Sequence, residues 1–497
     1  MPRPSTTFSL EDAGEVFFTS GAASRAIRTL LQDGKVRQLG PRLYTKDLAD
    51  PEEDVVRRNV WTIVPGYFPE AVLGDRSGFD TRPTDDGYLF LIADTWRPVE
   101  LPGLRLSPRP GPGPVEGDSP YMGGLWLPSE ARRFLDNLRV SRPRNGAPAR
   151  SLPREELERR LEALAARQGE DQLNVLRDTA RRIAPEMAAE KELERLEKLV
   201  GTILGTQEGE LQSPVTRARR AGLAYDPARI ELFDLLMAEL HQHVPVNRPM
   251  RPEHMGAPYA FFEAYFSNYI EGTEFPLDEA EDIVFRGVIP DERPDDAHDI
   301  LGTFRLLNDQ QSRGRVPRDF EDFVELVQAN QKAILGERPA IRPGEFKKNE
   351  NQAGGTQFVH PDLVRGTLAQ GYERYESLPA GFARGVFQMF MVAEVHPFVD
   401  GNGRTARTMM NAELTAAGQE RAMVTTAIRD SYVSSLRALS NSKRTDALIK
   451  VIDACQRFSA DGDWSTMERA RDTVERTGAL VDPNLDDVHA SIFGAGS

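Results

Sequence analysis

His396-Pro397-Phe398-Val399-Asp400-Gly401-Asn402-Gly403-Arg404-Thr405-Ala406-Arg407 is the stretch on which the reading of this sequence turns. Before it, Phe382, Val386, Met389, Phe390 and Ala393 recur at helical spacing with few charges, which predicts a helix buried on most sides that delivers His396 at its C-terminal end. Pro397 and Gly401 prevent simple continuation. A second helix starts near Gly403, with Ala406, Met409, Met410, Leu414 and Ala417 as its apolar stripe and Gly418 as its stop. The stretch is therefore a turn between two core helices.

Glycines at 401 and 403 let backbone approach a ligand closely, and the free N–H groups at the start of the second helix make an anion site. Arg404 and Arg407 share a face in the first turn, where the positive helix end disfavours each by about 0.3–1 kcal/mol. Carboxylates of the fold could offset this. A polyphosphate held between two guanidinium groups and backbone amides is the simpler explanation. Asp400 then reads as an oxygen ligand for Mg²⁺ bridging phosphates, and His396 as a general base whose neutral imidazole takes a proton from an attacking hydroxyl. For eight specified residues in a twelve-residue window, chance occurrence is on the order of 10⁻⁸ at about one in twenty per residue type.

The stretch resembles the signature of the Fic family, His-x-Phe-x-Asp/Glu-Gly-Asn-Gly-Arg-x-x-Arg, with every position filled, and residues 255–458 are arranged like a Fic domain. The resemblance implies a protein adenylyltransferase using ATP and Mg²⁺. In that family the histidine deprotonates a Ser, Thr or Tyr hydroxyl of a target protein, which displaces pyrophosphate from the α-phosphate. Carried over, His396 is the base, Asp400 the metal ligand, Phe398 and Gly401-Asn402-Gly403 the ligand-binding turn, and Arg404 and Arg407 the phosphate clamps. Transfer of a group other than AMP stays open, because a few relatives use other substrates; the intact Asp400-to-Arg404 run favours AMP.

Upstream, Ser267-Asn268-Tyr269-Ile270-Glu271-Gly272 places Ser267 and Glu271 on one helical face with Gly272 as a C-cap. An acid at the negative end of a helix calls for a cation. The run is similar to the inhibitory motif of autoinhibited Fic proteins, so the resemblance implies an inhibitory helix over 258–272 whose Glu271 pairs with Arg407 and blocks productive γ-phosphate placement. Some such relatives also use the glutamate to activate water and remove AMP, and that reverse activity stays open. Pro343-Gly344-Glu345-Phe346 and Gly354-Gly355-Thr356-Gln357-Phe358-Val359 bracket polar residues as a hairpin, where the family has a flap that pairs with the target's main chain; a plain surface loop is the other reading. Tyr432 and Asn441 resemble the family's residues on the adenine side.

The first 46 residues carry seven basic (Arg3, Arg25, Arg28, Lys35, Arg37, Arg42, Lys46) and four acidic side chains (Glu11, Asp12, Glu15, Asp33), a net of 7 − 4 = +3 against −15 for the whole chain. Ser9 with Asp12 reads as a cap opening one helix. Ser20-Gly21 then precedes a second, recognition-like helix over 22–33, and Val36 to Tyr44 reads as a two-stranded wing. This predicts a winged helix-turn-helix over 1–50, and the N-terminal region up to about residue 140, including Val64 to Val72, is similar to AbiE-type antitoxin and regulator proteins. The likeness implies DNA contact through Arg25, Arg28, Arg37 and Arg42, or alternatively protein docking. A DNA-binding regulator whose Fic unit is regulatory is therefore the rival function.

The expected architecture is multidomain: the α+β winged-helix-containing N-terminal region with a small α+β or β-rich unit over 51–140, then a helical linker over 154–250. The mostly α Fic domain follows, and 459–497 hold a C-terminal helix and a disordered tail. Residues 59–138 read as short strands, 108–114 as an exposed loop, 141–153 as a domain boundary, and the charge runs beyond it as solvated faces. Of 497 residues, 39% are hydrophobic and 28% charged, no run is long enough for a membrane helix, and the first residues carry no secretion signal, so a cytoplasmic chain is expected. The single cysteine, Cys455, excludes an internal disulfide and reads as a small buried hydrophobe. The expected partner is a protein bearing a hydroxyl, the chain itself included. Oligomeric state is left open.

Overall fold

The computed structural model describes residues 10–19, 24–144, 146–353 and 355–481. They fall into two compact units, Met1–Arg220 and Ala221–Ser497.

The first unit opens with β1 (Val16–Phe18), α1 (Ser24–Gln32), β2 (Arg37–Gly40) and β3 (Leu43–Thr45), the strands forming an antiparallel sheet in the order β1-β3-β2. A two-stranded hairpin, β2–β3, lies over the residues read as a wing, but among the described residues the first predicted helix is not found. Val16, Phe17 and Phe18, a β-branched and aromatic run, pair with Thr45, Tyr44 and Leu43 instead, so a strand stands where a helix-turn-helix needs its first helix. Ser9 and residues 20–23, on which the cap and the intervening turn were read, lie outside the described residues.

Next come α2 (Glu52–Arg58), α3 (Val60–Tyr67), β4 (Val72–Leu73), α4 (Asp75–Asp80), β5 (Tyr88–Ile92), β6 (Val99–Leu101), β7 (Leu104–Arg109), β8 (Ser119–Pro120), β9 (Trp126–Leu127) and α5 (Glu130–Leu138). The strands form one sheet, β6-β7-β5-β4-β9-β8. This is α+β rather than all short strands: α3 forms because Val60, Ile63 and Val64, at helical spacing, fill the core over the sheet. Pro108 is not in a loop either. It is the last residue but one of β7, which pairs with β5 from Arg105 to Arg109 but with β6 only as far as Leu106. Arg105 and Arg109 turn their polar groups toward the β5 side, so Pro108 presents its missing N–H where no strand follows.

Helices α6 (Arg154–Gln168), α7 (Asp171–Ile183), α8 (Glu190–Ile203) and α9 (Pro214–Arg220) are not a linker. Leu157, Leu161, Leu164, Leu173, Ala180, Leu196 and Val200 close one core with Phe134 and Leu135 of α5. The breaker-rich segment 141–153 is no boundary, because Arg150 reaches Asp75 at 2.6 Å and Leu152 is buried; the break falls after Arg220. The charge run of α6 is not wholly solvated. Glu158 is buried and accepts from the backbone N–H groups of Gln212 (2.6 Å) and Ser213 (2.7 Å) at the start of α9, and buried Glu162 holds Arg219 at 2.5 Å.

The second unit comprises α10 (Pro227–Gln242), α11 (Ala257–Ile270), α12 (Leu277–Glu281), α13 (Pro294–Asn308), α14 (Phe320–Leu335), the hairpin β10 (Gln352–Ala353) and β11 (Thr356–Gln357), then α15 (Val364–Ser377), α16 (Phe382–Val395), α17 (Asn402–Ala416), α18 (Arg429–Ser442), α19 (Asp446–Asp461) and α20 (Met467–Arg476). Helix α10, expected in the linker, belongs here: its Phe233 packs edge-on to Phe387 and Phe390 of α16. Helices α16 and α17 are buried along nearly their whole lengths and pack against each other. Cys455 is buried, and burial pushes its thiol pKa up. Residues 482–497, read as the tail, lie outside the described residues; among those described, no helix is long and apolar enough to cross a membrane.

Removing the Glu158 carboxylate strands two backbone donors, so Glu158→Ala is expected to destabilise the first unit by about 2–3 kcal/mol, read as a lower urea midpoint at unchanged m-value.

Candidate active site

The turn between α16 and α17 is held by its own side chains. His396 caps α16 in the left-handed region (φ 52°), Gly401 follows at φ 79°, and α17 begins at Asn402. Asn402 grips Phe398 twice, its Oδ1 accepting the Phe398 N–H at 2.8 Å and its Nδ2 donating to the Phe398 carbonyl at 2.9 Å. From outside, Asn351 also donates to that carbonyl at 3.0 Å, and the Lys347 N–H donates to Pro397 O at 2.8 Å.

His396 Nδ1 lies 3.2 Å from the Ala393 carbonyl, which can only accept, so the neutral ring carries its proton there and leaves Nε2 as the basic nitrogen. Phe358, just past β11, stacks on the imidazole with centroids 3.7 Å apart and planes 8° from parallel. Burial first, and the nearby Lys347 charge after it, hold the His396 pKa down to about 4. Lys347 is itself lowered to about 8, by burial and then by Arg229.

Both arginines of the turn are buried, and carboxylates of the fold hold both. Arg404 donates to Asp299 at 2.7 Å and to Asn268 Oδ1 at 3.2 Å. Arg407 donates to Ser267 Oγ (3.1 Å), the Ser267 carbonyl (2.8 Å) and Glu271 Oε1 (2.8 Å), and its guanidinium stands 5.9 Å from the Tyr432 ring centroid. The polyphosphate preferred as the explanation of this charge is thus not required by it. Glu271 lies against the start of α17, where a Cβ at Gly403 would come within 2.1 Å of its Oε1, so a larger residue there would displace the Glu271 carboxylate. Gly272, at φ +88°, turns the chain away after α11.

Glu271, His396, Gly403, Arg407, Tyr432, Thr356 and Phe358 line one open cavity of about 210 Å³. Asp400 keeps a side chain 45% exposed, with Oδ1 accepting from Gly401 N–H at 2.6 Å. Its carboxylate suits a cation that arrives with phosphate ligands of its own. Asn441 is exposed and does not line this cavity; Ser440, one residue and about 100° around α18, does. In the hairpin, Gln352 pairs with Gln357 and Ala353 with Thr356, Gly355 is exposed, and Gly354 lies outside the described residues.

Asp299, Asn268, Lys347 and Glu394 were missed. Asp299 reaches Arg404 from 105 residues away, a pairing no local pattern announces. Glu394 did carry a signal, as an acid in an otherwise apolar helix. In the first unit, Arg25 and Arg28 are exposed on α1, Arg42 is exposed at the hairpin turn, and Arg37 is tied to the Asp50 carbonyl.

Residues 321–414 match the model of the Fic/DOC family. The chain carries a Fic domain. Among curated relatives, "Protein adenylyltransferase Fic" of Drosophila willistoni is 25% identical over 298 residues, covering 55% of this chain and 57% of that protein. Its namesake in Drosophila melanogaster is 28% identical over 252 residues, 48% of each. The chain therefore spans about half the length of the curated relatives it matches. A Fic domain containing signaling protein from Bacteroides thetaiotaomicron overlaps 49% of this chain and 97% of its own at 17% identity and a TM-score of 0.38, too loose a superposition to carry an argument.

A histidine pKa near 4 leaves Nε2 free of its proton throughout the neutral range, with protonation only as pH falls through that value. The His396 ring signal, assigned by difference against His396→Gln in NMR spectra, is expected to titrate near pH 4; a midpoint near 6.5 would mean a solvated ring.

Proposed function

We propose that this Fic domain transfers AMP from ATP to a Ser, Thr or Tyr hydroxyl of a protein, and that Glu271 restrains it. The observation that carries the reading is the ion pair of Glu271 with Arg407 at 2.8 Å, set over Gly403 in the cavity that also holds the neutral His396. An acid occupies the place where a polyphosphate would meet a guanidinium and a helix N-terminus.

In the forward reaction, the acceptor hydroxyl gives its proton to His396 Nε2 while its oxygen bonds to the α-phosphorus. The bond from that phosphorus to the oxygen bridging the α- and β-phosphates breaks, and pyrophosphate leaves with the electron pair. A proton acceptor so placed contributes about 10²–10⁴ in rate. Asp400 would hold Mg²⁺, which supplies neutralisation of phosphate charge. Arg407 is available to a γ-phosphate once Glu271 withdraws. Arg404, fixed by Asp299 and Asn268, supports the turn from within. Tyr432 closes the cavity beside Arg407. The names of the Drosophila relatives and the family match to 321–414 favour AMP as the transferred group.

Intact-mass analysis after incubation with ATP and Mg²⁺, with labelled ATP added to a lysate in parallel, tests this. Glu271→Gly is expected to gain AMP on itself or on lysate proteins, the native chain far less, and Glu271→Gly with His396→Ala about 10²–10⁴-fold less than Glu271→Gly alone. If folded Glu271→Gly labels nothing, the reading fails; if it labels no more than the native chain, restraint by Glu271 fails.

A further inference from the structure

Arg229 stands in the first turn of α10, outside the segment that matches the family. A cation there opposes the helix dipole, so its placement calls for a partner. The helix start is itself fixed: Asp226 caps it by accepting the Ala228 N–H at 2.9 Å, and the Asp226 N–H donates to Thr367 Oγ1 of α15 at 3.0 Å. From this anchored base the guanidinium, 17% exposed, makes two contacts. Nη2 donates to the Gln357 carbonyl of β11 at 2.5 Å, and Nε lies 2.9 Å from Glu394 Oε1.

Glu394 is 4% exposed, lines the cavity, and sits two residues before His396 on α16. Its Oε2 accepts from Ser440 Oγ of α18 at 2.5 Å. Burial raises the Glu394 pKa, and the Arg229 charge opposes that rise. A chain of contacts thus runs from Gln357 through Arg229 and Glu394 to Ser440. One end is the hairpin, the other the wall of the cavity that Arg407 also lines.

We propose that Arg229 and Glu394 are a positioning pair that fastens the β10–β11 strand to the wall of the nucleotide cavity, so that the strand is set in place to present a target hydroxyl to His396. This rests on the adenylyltransferase reading for its purpose but not for its geometry. Arg229 touches neither the turn nor its ligands. One route from it to His396 runs through the hairpin, because Phe358, the next residue after Gln357, is the ring stacked on the imidazole.

Hydrogen–deuterium exchange on the full chain, with no nucleotide present, tests the pair in Arg229→Ala, Glu394→Gln and the double variant. Each single variant is expected to speed exchange in peptides covering 355–358 by about tenfold, with α16 and α17 unchanged, and the double variant to add nothing to the singles. His396 titration in the same variants is expected to move up from about 4 toward the ordinary 6.5 as the stacked ring loosens. Should Arg229→Ala fail to fold, Arg229→Gln takes its place. Hairpin exchange at the native level overturns the proposal, as do singles whose effects add or an increase spread evenly over the unit. Exchange needs no turnover, so a chain that transfers no AMP would leave this result readable.

Discussion

One side chain closes the turn between α16 and α17 from within. Asn402 satisfies both the N–H and the carbonyl of Phe398, closing the loop between two helices that are otherwise committed to the core. Buried backbone groups in an irregular turn are costly unless paired, and here two are paired by a residue that is itself the first of the next helix. His396 can then sit at a left-handed φ because the chain on both sides of it is fixed. His396, the glycine turn and the start of α17 are consequently one object, and the hairpin and Glu271 are laid on it from elsewhere.

Buried ion pairs organise the surroundings of that object. Arg404 with Asp299 and Asn268, and Arg407 with Ser267 and Glu271, tie α17 to α13 and to the end of α11. Asp299 also pairs with Arg338, so two guanidinium groups share one carboxylate. Such contacts add less to stability than to specificity of arrangement, since each charge gives up water to reach its partner. Arg404 is held by Asp299 and Asn268 inside the fold. Its place in the signature is better understood as support for the turn than as a free hand for phosphate.

The second unit was legible where periodicity was strong and local. The helix ending at His396 and the helix ending before Gly418 are found where the apolar spacing puts them, and a helix over Ala257–Ile270 stands where the resemblance at Ser267 to Gly272 implies one. The long-range pairs were not legible: Asp299 and Glu394 meet their arginines across 105 and 165 residues, and although Glu394 stands out as an acid in an apolar helix, nothing local names the partner of either. Asn441 failed by one residue because a helix turns about 100° per step, enough to move a side chain from cavity to solvent. In the first unit, single-sequence reading erred where sheet formation overrode local preference. Val16–Phe18 became a strand by pairing with residues nearly thirty positions on, and Pro108 entered a strand because one side of β7 is open there. Glu158 and Glu162 read as solvated only until α9 arrived to need them.

Helix α11 is a core element as well as the carrier of Glu271: Phe261, Phe262 and Phe266 are wholly buried, and the helix packs against α13, α17 and α20. If Glu271 restrains the site as proposed, a brake so built into the hydrophobic centre cannot be shed by dilution, as a separate inhibitory subunit could, nor swung aside as a whole without unfolding the unit. Release on the proposed reading must be confined to the final turn, where Glu271 is 28% exposed and Gly272 supplies a pivot. Control of this kind is set by the shape of a few atoms at a helix end, and whatever lifts it has only to bend that tip.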